Sequence, residues 1–210
     1  MRRLLLCVPM MILLLSGCGP AQSSEGEELA LVIRGEYLEE TPWSASAVIT
    51  ADYGQRVYQY ELKAAWDGAE TTLTLTAPET VAGVTARMQD GESLLEYDGV
   101  MLETGPLNGD GLTPVSAIPV LLETVRSGYI TAVSLDQEEG MLRVDCSDPE
   151  GEPGEGTETS LWFDADSHAL VQGEISLDGF RVIQCEFTDF TKESRDTHGG
   201  EESVENLGGD

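Results

Sequence analysis

The chain of 210 residues carries 39 Asp and Glu against 11 Lys and Arg, a formal charge of −28. Such a surface repels phosphate backbones and anionic headgroups, which argues against nucleic-acid binding and against electrostatic attachment to a membrane. A chain of this length is expected to fold as one domain that buries about 70% of its unfolded-state surface.

Arg2 and Arg3 precede an apolar run from Leu4 to Leu15, the charged and apolar regions of an export signal. The run falls short of the roughly 20 apolar residues that a spanning helix needs. Leu15-Ser16-Gly17-Cys18 resembles the bacterial lipobox, at which the cysteine thiol receives a diacylglycerol before cleavage. The resemblance implies that residues 1–17 leave as a signal peptide and that lipid-modified Cys18 anchors the chain. The protein would then sit in the cell envelope, on the extracytoplasmic face of a bacterial membrane. Two or more acyl chains, at about 0.8 kcal/mol per buried CH₂, make such an anchor stable.

Residues 18–27 are small and polar and read as a flexible tether. From Glu28 to Glu40, Leu29, Val32, Ile33 and Tyr37 recur at helical spacing, which predicts an amphipathic helix that stops near Thr41-Pro42. Beyond Trp43 the period changes to two. Ala45, Ala47, Ile49, Ala51 and Tyr53 alternate with polar residues, and so do Tyr58, Tyr60, Leu62, Ala64 and Trp66. The alternation passes through Asp67-Gly68, Asp90-Gly91 and Asp98-Gly99, pairs that supply the positive φ of hairpin turns. A second helix is expected within Thr113–Ser127, where Ile118, Leu121, Leu122 and Val125 form one stripe; Pro119 places its start close to that residue. Strands resume over Thr131–Leu135, Met141–Cys146, Thr157–Asp164, Ala169–Leu177 and Phe180–Phe190, and residues 191–210 read as a disordered acidic tail.

A helix, a long meander, an inserted helix and a returning meander make an α+β domain over residues 28–190. So many strands should twist into an incomplete β-barrel, an antiparallel meander curled so that helices cover its concave face. Cys146 and Cys185 form an even pair in a compartment that permits disulfides. Nearest-neighbour hairpins would nevertheless set them three strands apart, roughly 14 Å, beyond the reach of a bridge.

Catalytic signatures are missing: there is no Gly-x-Ser-x-Gly, His-Glu-x-x-His, P-loop or Cys-x-x-Cys. His168 falls in Asp164-Ala165-Asp166-Ser167-His168, which reads as a hairpin turn, and these carboxylates lack the Gly and terminal Glu of a calcium loop. No enzymatic activity, metal or cofactor is expected. Tyr58, Tyr60, Leu62, Trp66, Leu73 and Leu75 from the strands, with Ile118, Leu122 and Val125 from the second helix, should line the interior. They form either a dry core or, given the many alanines beside them, a cavity with room for a hydrophobic ligand.

The order of elements resembles the LolA-like family of lipoprotein-carrier and lipoprotein-sorting proteins. The segments that carry the likeness are the opening helix, the strand pair Ser44–Ile49 and Tyr58–Leu62, Ala77-Pro78-Glu79 through Ala86, Asp90-Gly91 with Tyr97-Asp98-Gly99, the helix around Pro119-Val120-Leu121-Leu122, Leu161–Asp164 with Val171, and Phe187–Phe190. The resemblance implies about eleven strands whose concave face, lidded by helices, holds lipid or lipoprotein acyl chains. The germination lipoproteins of spore-forming bacteria look similar too, which implies an alternative: a lipoprotein that docks and regulates an envelope enzyme such as a cell-wall amidase.

Overall fold

The structure is a computed structural model that describes residues 21–39, 41–90, 92–105 and 109–192. The export signal, Cys18 and the acidic tail from residue 193 lie outside the described residues. The elements in chain order are α1 (Ala21–Leu38), β1 (Trp43–Asp52), β2 (Val57–Trp66), β3 (Thr71–Ala77), β4 (Thr85–Gln89), β5 (Glu92–Tyr97), β6 (Val100–Glu103), α2 (Pro114–Ser127), β7 (Ile130–Asp136), β8 (Met141–Cys146), β9 (Thr157–Asp164), β10 (Leu170–Leu177) and β11 (Phe180–Lys192).

The strands form one antiparallel sheet of eleven, in the order β6-β5-β4-β3-β2-β1-β11-β10-β9-β8-β7. Each strand pairs with its sequence neighbour except at the centre, where the first meets the last: Ile49 lies opposite Cys185, and Trp43 opposite Lys192. The sheet is not closed, so β6 and β7 are its two edges. This is the expected α+β incomplete barrel. Alternation produces it directly: Trp43, Ala45, Ala47, Ile49 and Ala51 of β1 are all buried, while the residues between them are not. At Asp98-Gly99 and Asp178-Gly179 both turn residues have positive φ, as a two-residue hairpin with right-handed strand twist requires.

Both helices lie on the concave face. α2 packs across β1, β9, β10 and β11, and α1 packs against α2, β7 and β8. Thr113 and Ser116 close a capping box at the start of α2, with Pro114 in the first turn. The helix therefore starts five residues before Pro119, which lies inside it. An interior proline costs about 3 kcal/mol. The box, and burial of Ala117, Ile118, Leu121, Leu122 and Val125, offset that cost. Gly173 of β10 lets α2 come close, since a Cβ there would stand 2.7 Å from a methyl of Leu121.

The start of α1 and the end of β11 differ from the sequence reading. α1 begins at Ala21, within the stretch expected to be a tether, because its inward face includes Gly26, whose missing side chain lets the helix approach Val133 and Leu135 of β7. The buried stripe of α1 is accordingly Gly26, Ala30, Ile33 and Tyr37, and Val32 points outward at 53% exposure. β11 runs on to Lys192, because Thr191 and Lys192 pair with Ser44 and Trp43. Cys146 and Cys185 are free and buried, with β9 and β10 between their strands.

Candidate functional site: the uncovered half of the concave face

The helices cover the β7–β11 side and β1, while the concave face of β2–β6 continues beyond them. Register partners define one inward row across six strands: Ala45, Ala64, Leu73, Ala86, Leu95 and Leu102. Burial falls along that row. Ala45, Ala64, Leu73 and Ala86 are 2–5% exposed, Leu95 is half-buried, and Leu102 on the edge strand is 61% exposed. Val100 and Tyr97, which share this face, are 69% and 51% exposed. An apolar surface that starts as core thus ends open to solvent.

The candidate ligand residues divide between these two environments. Leu62, Leu73, Ile118, Leu122 and Val125 are 0–4% exposed and belong to one packed cluster. Where α1, α2 and β7–β9 meet, the gap bounded by Ile33, Val125, Leu161 and Phe163 is about 10 Å³, at the lower limit for one water. Trp66 and Leu75 are half-buried against the cluster. Tyr60 is half-buried and Tyr58 is 39% exposed.

Tyr58 and Tyr60 stack at 6.4 Å between ring centroids, and Tyr53 lies 6.2 Å from Tyr58. The Tyr53 hydroxyl donates to the Leu112 carbonyl just before α2, at 3.0 Å. These rings mark one end of the hollow. At the other end the Arg126 guanidinium stands over Trp66, 5.9 Å from the ring centroid. The sequence reading missed Met88, Leu95, Val100 and Leu102. Met88 alternates with polar neighbours and was visible as a strand position, whereas the Leu94-Leu95 pair and the unbroken Val100-Met101-Leu102 run hide which face each residue takes.

The polar side chains that could suggest catalysis are engaged elsewhere. The Ser167 hydroxyl donates to Asp164 at 2.6 Å, and Ser167, Asp164 and His168 occupy the β9–β10 turn. His168 Nδ1 instead meets Glu36 of α1 at 2.6 Å, and Lys192 meets the other Glu36 oxygen at 2.7 Å. Hydroxyl and imidazole therefore contact different carboxylates. Desolvation works to raise the Glu36 carboxyl, but hydrogen bonds from Lys192 and His168 and their charges outweigh it, so the group lies below its ordinary range. The arrangement is a clamp between α1 and the strand ends. Among the described residues no group of three or more His, Cys, Asp or Glu is placed to hold a metal. Among them, too, no helix is long and apolar enough to cross a membrane.

The chain is similar, at low identity, to several solved structures. Solved structures similar to it include a LolA superfamily protein from Nitrosomonas europaea, at 10% identity and TM-score 0.41, covering 83% of this chain and 95% of that one. Another is a chain from the Clostridioides difficile CwlD amidase in complex with the GerS lipoprotein, at 16% identity and TM-score 0.46, covering 80% and 95%. A third is the lipoprotein LppX of Mycobacterium tuberculosis, at 14% identity and TM-score 0.43, covering 81% and 95%. No family model matches the chain, and no curated protein matches it in sequence.

Proposed function

We propose that the protein is a non-enzymatic lipoprotein of the bacterial cell envelope, anchored through lipidated Cys18, that holds a lipid or lipoprotein acyl chain in its concave face. The observation that supports this most is the inward apolar row, which leaves the helix-covered core at Ala86 and reaches solvent at Leu102. A ligand lying along it would contact Leu75, Met88, Leu95 and Leu102 and end near Tyr58 and Tyr60. Leu62, Leu73, Ile118, Leu122 and Val125 form the packed wall behind it rather than contact surface. Covering an exposed leucine is worth about 1.5–3 kcal/mol, so a few such contacts favour an apolar ligand without any charged partner.

The test is lipid extraction of the purified full-length chain followed by mass spectrometry, with displacement of a fluorescent fatty acid as the binding assay. A co-purifying lipid is expected, and Leu102→Glu should weaken fatty-acid binding by about tenfold or more, the equivalent of 1.4 kcal/mol. Absence of both lipid and fatty-acid binding would remove the proposal. The anchor is tested separately: Cys18→Ala should release the chain from membranes, and a variant that stays bound contradicts it.

A further inference from the structure

The two edges of the sheet are treated differently. β7 is shielded by α1, whose Gly26 packs on Val133 and Leu135, and its outward residues include Thr131 and Ser134. Among the described residues β6 has no such cover. All four of its residues are exposed, with Val100, Met101 and Leu102 at 69%, 64% and 61%. Soluble proteins normally blunt an edge of this kind with Lys, Pro or a bulge, since its free backbone groups invite another strand.

The hydrogen-bond phase shows which groups are free. In a two-residue hairpin the flanking residues, here Tyr97 and Val100, form the bonded pair, and bonded pairs then recur every second residue. The Thr104 N–H donating to the Ser93 carbonyl at 3.0 Å fits this phase. Val100, Leu102 and Thr104 therefore turn their N–H and C=O toward β5, and Met101 and Glu103 turn theirs outward. Side chains follow the same alternation: Val100 and Leu102 lie on the concave face, Met101 and Glu103 on the convex one.

The charge around this edge has one sign. No Lys, Arg or His occurs between Arg87 and Arg126, whereas Asp90, Glu92, Glu96, Asp98 and Glu103 all fall in or beside β5 and β6. Arg87, on β4, is already held by Glu70 and Glu96 at 2.7 and 3.3 Å.

We propose that β6 is a docking edge, extended by a strand of a partner protein in which Lys or Arg alternates with apolar residues. The outward N–H and C=O groups of Met101 and Glu103 would bond its backbone. Its apolar side chains would join Val100 and Leu102, and its cations would lie beside Glu103. A second copy of this chain fits poorly, because it would bring the same carboxylates face to face. This docking does not require a ligand in the hollow, although both would touch Leu102; it is read at the backbone amides of Met101 and Glu103.

The probe is the peptide Lys-Val-Lys-Val-Lys-Val, with Glu-Val-Glu-Val-Glu-Val as control, added to the full-length chain in mild detergent at about 0.15 M salt. The Lys-Val peptide should slow amide exchange at Met101 and Glu103 by about tenfold or more. Met101→Pro removes an outward donor and leaves the β5 ladder intact, so it should weaken binding by about tenfold. Glu103→Lys should invert the preference toward the Glu-Val peptide, and it carries the test if the proline variant fails to fold. Exchange at Met101 and Glu103 that ignores the peptide, or variants that bind like the parent, would reduce the effect to diffuse attraction and overturn the proposal. Protection of those amides without peptide, in a dimer that Met101→Pro dissociates, would make the occupant a second copy and overturn it equally.

Discussion

Arg34 and Arg126 cap each other's helices. Arg34 of α1 donates to the Val125 and Gly128 carbonyls at the end of α2, at 2.9 and 2.7 Å, and Arg126 of α2 donates to the Tyr37 carbonyl near the end of α1, at 3.0 Å. Each cation sits where a helix leaves unbonded carbonyls and the negative end of its dipole. The helix pair is thus locked by charge at its C-terminal ends, where Ile33 and Val125 line one small gap. Arg34→Ala and Arg126→Ala should each cost about 1–2 kcal/mol in urea unfolding. The double variant should cost less than their sum by more than about 0.5 kcal/mol, because both bonds hold one interface. Strict additivity would show that the two caps act separately.

Glu36 makes stability depend on acid. Its folded-state pKa lies below the ordinary 4.5, so its contribution is complete above that value and is lost as pH falls through the folded pKa. Glu36→Gln should therefore be less stable than the parent at pH 7, and the difference should shrink as both are taken below pH 4.5. A difference that stays constant with pH would refute the clamp to His168 and Lys192.

Gly173 sets how near α2 comes to β10. A methyl at this position would overlap Leu121, which is fully buried and has nowhere to move. Gly173→Ala should cost about 1–3 kcal/mol, and adding Leu121→Ala, whose own cost is about 2–5 kcal/mol, should total less than the two separately. Thermal unfolding of the three variants checks this.

Cys146 and Cys185 should resist a thiol reagent until the fold opens. Desolvation raises the Cys185 thiol well above its ordinary range, and desolvation is the largest influence raising Cys146 as well. Two thiols should become reactive on denaturation whether or not reductant is present. A requirement for reductant would mean the two are bridged and the strand order is wrong.

How much of this was legible depends on what each residue pattern reports. Alternation in β1 and β2 reports burial on one face, so the sheet, its turns and the inward side of Tyr58, Tyr60, Leu62 and Trp66 could be read directly. Helix α1 could not be bounded, because Gly26 and Ala30 on its inward face are too small to register as an apolar stripe. The stripe Ile118, Leu122 and Val125 was visible as apolar, but hydrophobicity does not say whether a side chain faces a ligand or another side chain. Only the burial gradient from Ala86 to Leu102 separates wall from open surface. The edge at β6 was hidden for a related reason: its three apolar residues in succession show no face at all.

Pairing the first strand with the last also has a kinetic consequence. The bond between Ser44 and Thr191 joins residues 147 positions apart, and it lies at the middle of the sheet rather than at its margin. So high a contact order makes folding slow, because the chain must close a very long loop before the seam rewards it. Under the export proposed for this chain, the central ladder could not zip until nearly every residue had emerged, which would keep the polypeptide threadable for the whole passage.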